Sequence, residues 1–442
     1  MTTTSDPQRD PRGEVDWEEC EDAYVDGDRI FEPGTARAAF SHRTFRTVYL
    51  GAFASNIGTW MQNVVLGALA YNLTHSGVFV GIIIAAQLGP LLLFSVVGGM
   101  IADAFDRKRS LLIICVQQAV FSVLLALVTI PADPNKVAMV VVVLIIGIGN
   151  ALYAPIFSAV VPILVPREDL SGAISLNSVQ MNASRVIGPF IGAAIYTTWG
   201  PSWVFVLNAL SFGFVILSLQ RVTLPPPVAT GSQGLHRLLE GIDVARADRV
   251  VRQCLIVIFS FSFLCLPFIT QMPTIADTNL SIASKSTQYG ILYGCFGLGA
   301  VIGALSIGTV FASSSKARLT RFGLVGFAVM ILTFGTLHSA TSAYVAILLL
   351  GCVYFAVITS LSTVLQQDID DGVRGKVMAL WIMGFGGTVP FGGLAGGWVI
   401  EQLGITPLVG ISAVFALFLA WWADLLPSRP SGVLGLEPAS AA

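Results

Sequence analysis

The sequence predicts an all-α integral membrane protein with twelve transmembrane helices in two six-helix halves that repeat one another. Three observations carry that prediction. The 442 residues are 55% hydrophobic and only 11% charged, with a mean hydropathy of +0.78. A soluble domain carries roughly 25% charged residues, so these charges are too few to cover a water-facing surface. Apolar runs long enough to cross a hydrocarbon core of about 30 Å alternate with short polar breaks. Finally, the break after the second run is echoed 209 positions later, where Gly308, Ser315, Lys316 and Arg318 repeat Gly99, Asp106, Arg107 and Arg109.

The runs place spans at 46–73, 78–102, 110–130, 138–162, 174–198 and 203–222 in the first half. In the second half they lie at 252–275, 287–312, 321–338, 343–366, 376–400 and 405–426. Lys and Arg then set the orientation. With both termini cytoplasmic, all of the 24 fall on the inner side except Lys136, Lys285 and Arg185, which is the asymmetry that positive-inside insertion requires. Residues 1–40 read as a disordered, acidic cytoplasmic tail. The first six-helix half is 41–224, and 428–442 is a short cytoplasmic tail after the second half, 251–427. Between the halves, 225–250 is a cytoplasmic linker. It opens with Pro225-Pro226-Pro227, and Leu235, Leu238, Leu239 and Ile242 then recur at helical spacing up to Arg252. That pattern predicts an amphipathic helix on the inner membrane face.

Several function classes fall away. A net charge of −2 excludes a basic nucleic-acid binder, and no nucleotide loop marks a primary pump. Scattered cysteines and histidines offer no metal site or disulfide framework. No clustered nucleophile and base suggests an enzyme, and no cofactor is expected. Two six-helix halves around a cytoplasmic linker are a transporter architecture, with the substrate site between the repeats near midplane.

The loop Gly99-x-x-x-Asp103-x-x-Asp106-Arg107-Lys108-Arg109 resembles the signature loop of the major facilitator superfamily, in the position where that family carries it. Ser184-x-x-x-Gly188-Pro189-x-x-Gly192-Ala193 resembles the antiporter motif of its drug–proton exchangers, with small residues in place of the first and last glycines. Ser55-Asn56-Ile-Gly58-Thr59-Trp60-Met61-Gln62, together with Asn182-Ala-Ser-Arg185, is similar to the enterobactin-exporter or transmembrane secretion effector branch. The resemblance implies a monomeric exporter of drugs or siderophores in the bacterial inner membrane, driven by proton antiport. One departure stands: Val141 to Pro155 of span 4 carries no charge, and no acidic residue lies inside a span. Proton coupling therefore lacks an obvious carrier.

Arg185 is the most informative side chain, because an Arg at midspan costs about 2.5–3.5 kcal/mol to insert. It binds an anionic or catecholate group, or else it pairs with carbonyls or amides and locks the first half. Asn182 shares its helix face, and span 1 offers Asn56, Trp60 and Asn63. Asn150 and Tyr153 (span 4), Phe268 and Gln271 (span 7), Tyr289 and Tyr293 (span 8) and Tyr354 (span 10) complete a candidate aromatic and amide cavity for a bulky amphipathic molecule. Ordinary interhelical bonding accounts equally well for any one of them. The resemblance makes the loop from Gly99 to Arg109 a conformational latch, with Asp103 meeting the positive N-terminus of span 11. Ser184, Gly188, Pro189 and Gly192 form a hinge in span 5. An importer, an uncoupled facilitator and a receptor using the acidic tail remain as alternatives.

Overall fold

The computed structural model describes residues 31–224, 234–369 and 371–425. The acidic stretch 1–30, Pro225-Pro226-Pro227 and the chain end after Leu425 lie outside the described residues, and with them most of the expected tails. A short helix, Ala36–Ser41, leads into the first half. Span 1 is Arg43–Thr74, span 2 Gly77–Leu88 and Pro90–Ala104, and span 3 Arg107–Val128. Span 4 is Lys136–Val160, span 5 Leu170–Thr198 and span 6 Pro201–Gln220. After a linker helix, Gly234–Ala247, span 7 runs as Arg249–Leu264, Pro267–Thr270 and Met272–Leu280. Spans 8, 9 and 10 are Thr287–Gly308, Lys316–Thr336 and Ala340–Asp368. Span 11 joins Asp371–Ile382, a π-helical turn at Met383–Gly387 and Val389–Leu403, and span 12 is Ile405–Trp422.

Among the described residues, ten helices are both long and apolar enough to cross a membrane. Spans 1 and 5, at 32 and 29 residues, have the length without the hydropathy. The deficit is polar side chains: Ser55, Asn56, Gln62 and Asn63 in one helix, Ser178, Asn182 and Arg185 in the other. Lipid cannot satisfy such groups, so these faces turn toward the bundle interior. The two exceptions therefore mark its polar lining.

Local chemistry sets the helix starts. Ser76 accepts from the Phe79 amide, Asp106 from Arg109, Asn135 from Ala138 and Ser286 from Tyr289, at 3.0–3.2 Å. Asp106 and Ser315, the two members of the repeat 209 residues apart, are the N-cap residues of spans 3 and 9. Prolines set the breaks. Pro267 and Pro273 each withhold an N–H from the carbonyl four residues earlier, dividing span 7 into three pieces and extending it beyond the expected 252–275. The Ile269 carbonyl freed by Pro273 accepts from Tyr293 Oη at 3.1 Å. Span 2 breaks at Gly89–Pro90, and Leu92 beyond that break lies against Gly387 in the π turn of span 11. Span 11 begins four residues before Gly375, where its start was expected.

The linker helix ends at Ala247, five residues earlier than the sequence pattern suggested, because Asp248 caps span 7 through the amides of Val250 and Val251. It packs on span 11: Gly241 lies against the Lys376 carbonyl, and Glu240 pairs with Lys376. Alternating spans bring Arg43, Arg107, Lys108, Arg109, Arg221, Arg249, Lys316 and Lys376 to one end of the bundle, here termed the basic end.

Candidate functional site

The two halves meet tightly at the end opposite the basic one. Tyr71 Oη of span 1 donates to Asp277 Oδ2 of span 7 at 3.2 Å. Glu401 at the close of span 11 accepts from Ser76 Oγ and, at 3.0 Å, from the Val78 amide, capping the N-terminus of span 2 from the other half. Lys285 lies 5.7 Å from the centre of the Tyr196 ring. Small residues bring the backbones together below these contacts. A Cβ added to Gly81 would lie 2.9 Å from Leu394 Cα, and one added to Gly290 would lie 3.1 Å from the Pro189 carbonyl.

The seal ends at midspan. On span 1 every residue from Val64 to Tyr71 is buried, whereas Phe53, Asn56, Trp60 and Asn63 are partly accessible along one face. Span 10 matches it with Phe355, Thr359 and Ser362 partly accessible and Gln366 exposed. The two faces look at one another, because a single side chain touches both. The Arg185 guanidinium carbon lies 5.0 Å from the centre of the Trp60 ring and 4.6 Å from that of Phe355. Arg185 Nε and Nη1 are buried and have no hydrogen-bond partner. Each cation–π contact is worth up to about 2 kcal/mol when desolvated, so the pair offsets the cost of burying the charge. The two nitrogens remain buried donors without a partner, which is costly. Partly accessible faces of spans 1 and 10 thus lead from the basic end to a cation held between two aromatic rings, one from each half.

Span 5 is shaped to hold that cation. Gly188 and Gly192 seat it on span 1, where an added Cβ would lie 2.6 Å from Trp60 Cβ or 3.0 Å from Met61 Cα. Pro189 denies a donor to the Arg185 carbonyl, and Gly297 of span 8 closes on that carbonyl, within 3.0 Å of an added Cβ. The helix is continuous through Pro189, and its glycines pack on span 1. Ser184 is buried beside it. The glycines at 297, 299 and 303 pack span 8 against spans 5 and 10, as expected of a helix rather than a nucleotide loop.

The other sequence candidates separate into two groups. Asn182 is partly accessible on the Arg185 face and donates to the Ser178 carbonyl at 2.9 Å. Asn63 accepts from Gln87, Asn150 accepts from Gln118 at 2.6 Å, and Tyr153 stacks on Phe157. Phe268, Gln271, Tyr289 and Tyr354 are buried, contrary to the expectation that they line the cavity. Gln271 spans the seal, donating to the Gly77 and Gly393 carbonyls at 2.9 and 3.0 Å and accepting from Thr274. Phe268 and Tyr354 belong to an aromatic core with Phe261, Phe296 and Phe327. Tyr289 packs edge-on against Tyr293, which is committed to the Ile269 carbonyl. Their ring and amide chemistry suited a cavity equally well, and only packing distinguishes the two.

In the loop after span 2, Asp106 is occupied as an N-cap, with Arg109 4.0 Å from it. Lys108 Nζ donates to the Val222 carbonyl at 2.6 Å and ties the loop to the end of span 6. A Cβ added to Gly99 would meet open space. Asp103 lies in the last turn of span 2, and its side chain is outside what is described. Two features escaped the sequence reading. Phe355 stood in an apolar run with nothing to mark it. Gln62, Ser122 and Asn208 form a buried network across spans 1, 3 and 6, with Asn208 donating to Gln62 at 2.8 Å and Ser122 to Gln62 at 3.2 Å. Lone amides in otherwise apolar runs were its available signal.

A family model described as "Transmembrane secretion effector" matches residues 34–430. The chain belongs to that family of major facilitator transporters and is a multi-pass membrane protein. It is 27% identical over 344 residues to the enterobactin exporter EntS of Escherichia coli and of Escherichia fergusonii, covering 77% of this chain and 81% of the relative. Its fold is similar to that of the nucleoside transporter NupG (TM-score 0.69, 16% identity, 86% of this chain and 98% of that one). It is also similar to a bacterial homologue of the iron transporter ferroportin in an inward-facing state (TM-score 0.66, 14% identity, 86% and 98%). Together with the two halves described above, these likenesses establish the major facilitator fold.

Proposed function

We propose that this transporter exports a small amphipathic molecule, drug-like or siderophore-like, across the bacterial cytoplasmic membrane by alternating access coupled to proton antiport. In this reading both termini and the basic end are cytoplasmic, so the cleft is open to the cytoplasm and sealed outside. The observation that carries the proposal is Arg185 between Trp60 and Phe355 at the head of the cleft. An anionic or catecholate group would accept from the two unpartnered nitrogens, while its apolar body stacks on the rings. Because the rings belong to different halves, such a ligand touches both, and its binding energy biases their relative position. Asn56, Asn63 and Asn182 supply polar contacts along the same cleft.

The latch loop closes the cytoplasmic end in the opposite state, with Asp103 meeting the N-terminus of Asp371–Ile382. Asp277 and Glu401 are engaged in the seal and Asp424 in a pair with Arg249, so none of these three is offered as a counter-ion to Arg185. The test is substrate release from an efflux-deficient bacterium expressing the chain, with and without a protonophore. The proposal predicts that catecholate siderophore leaves the cells and that the protonophore stops it. Unchanged siderophore release in cells containing the folded protein contradicts it.

A further inference from the structure

We infer that the basic ends of spans 1 and 6 form a binding site for the phosphate headgroup of an anionic membrane phospholipid. A cavity of about 490 Å³ opens there, lined by Arg43, Thr44, Thr47, Arg221 and Val222. Its charges are uncompensated: among the described residues, neither Arg43 nor Arg221 makes an ion pair or a side-chain hydrogen bond, and no carboxylate lines the cavity. Like charges facing one cavity repel, and the positive end of span 1 adds to them because its N-cap residue, His42, makes no side-chain cap bond. The nearby acid is engaged elsewhere, since Asp169 pairs with His42 at 2.7 Å and accepts from the Gly34 amide at 2.9 Å. Lys108 adds a third cation to this end of span 6, its Nζ donating to the Gln220 and Val222 carbonyls on either side of Arg221. Two guanidiniums, the Thr44 hydroxyl and a helix N-terminus form a donor set for phosphate oxygens, while the Thr47 hydroxyl donates to the Arg43 carbonyl.

The helices below the cavity select a lipid over a soluble anion. Spans 1 and 6 touch closely at Gly51, where an added Cβ would lie 2.7 Å from Ser218 Oγ and 2.9 Å from the Phe214 carbonyl. On span 6, Leu217, Phe214 and Leu210 follow Arg221 at spacings of four, seven and eleven, and all are exposed, Leu210 at 62%. On span 1, Leu50 follows Arg43 by seven residues and is also exposed. A cationic cavity thus stands at the end of two helices whose exposed apolar side chains continue from it, the arrangement that a headgroup and its acyl chain require. The site is separate from the Arg185 cleft and does not rest on the direction or substrate of transport.

The test uses the full chain in uncharged detergent, titrated with phosphatidylglycerol, with phosphatidylcholine of the same acyl chains, and with inorganic phosphate. Binding is read by native mass spectrometry and by thermal unfolding. Phosphatidylglycerol is expected to bind more tightly than phosphatidylcholine, and the R43Q/R221Q chain to lose about 30-fold in affinity for it, roughly one kcal/mol per basic residue. The lipid-free Tm of that chain should not fall, because among the described residues neither arginine has a partner to lose and the substitutions relieve their mutual repulsion. The R43K/R221K chain guards against a folding artefact and should keep the preference. Equal binding of the two lipids, or phosphatidylglycerol binding that survives in R43Q/R221Q, overturns the proposal. A shift with inorganic phosphate as large as with the lipid assigns the cavity to a soluble anion and overturns the lipid assignment.

Discussion

The Arg185 guanidinium of span 5 lies 4.6 Å from the centre of the Phe355 ring of span 10, so a charged side chain at midspan joins the two halves of the transporter. Trp60 of span 1 holds its other face at 5.0 Å. Any rocking of the halves must change the Phe355 contact, while the Trp60 contact stays within one half. In the proposed cycle, binding at Arg185 and movement of the halves are therefore linked through one ring.

Replacing that ring isolates its share. Phe355→Ala removes a cation–π contact worth about 1–2 kcal/mol in a dry site, so KM for transport should rise roughly 5- to 30-fold. The Tm should fall only modestly, because Phe355 is partly accessible. Transport kinetics in everted vesicles, alongside thermal unfolding of the same variant, check both halves of this expectation.

The outer seal is predicted to depend on a carboxylate. Glu401→Gln leaves an acceptor for Ser76 and the Val78 amide but loses the charge, and charge-assisted bonds are roughly twice as strong as neutral ones. The balance should shift toward the outward-open state by about 5- to 10-fold, as expected for a loss near 1 kcal/mol. A cysteine introduced at Ala70, fully buried in the seal, should react correspondingly faster with a membrane-impermeant thiol reagent.

Not every buried amide belongs to the substrate. Asn208→Leu removes the amide that donates to both Gln62 and Ser122 and leaves them only their bond to each other, and a hydrogen bond lost in a buried network costs about 1 kcal/mol or more. Thermal unfolding should show a Tm lower by several degrees, while the substrate KM of the folded fraction stays at the wild-type value.

The latch makes its own prediction. Asp103→Asn keeps the size of the side chain and loses the charge that a helix N-terminus attracts, so transport should drop severalfold at unchanged expression. Wild-type transport by this variant, at equal amounts in the membrane, would remove Asp103 from the cycle.

Much of the fold was legible because bilayer thickness sets helix length and lysine and arginine mark one end. The repeat was equally readable, since Asp106 and Ser315 cap equivalent helices. Breaks within spans 2 and 7 were harder to place, although Pro90, Pro267 and Pro273 gave their cause, and in span 11 Pro390 follows the π turn. Arg185 stood out in the sequence because charge at midspan is costly. Phe355 did not, because a phenylalanine in an apolar run carries no mark of the face it occupies. Gln271 left two readings open in the sequence, because an amide in a membrane helix signals only a polar surrounding, and here that surrounding is the backbone of two glycines in the seal. Composition identified which groups need partners, and only the packing of the halves decided which partners they found.

The most direct test of the account is transport in proteoliposomes containing the wild-type chain or Arg185→Gln, with a proton gradient imposed and a catecholate siderophore or a cationic dye offered. The account predicts gradient-driven movement of the siderophore by the wild type, at least a tenfold loss in Arg185→Gln as charge-assisted bonds disappear, and no movement of the dye by either. Siderophore transport by a folded Arg185→Gln protein at the wild-type rate, or transport of the cationic dye alone, would contradict the central role given to Arg185.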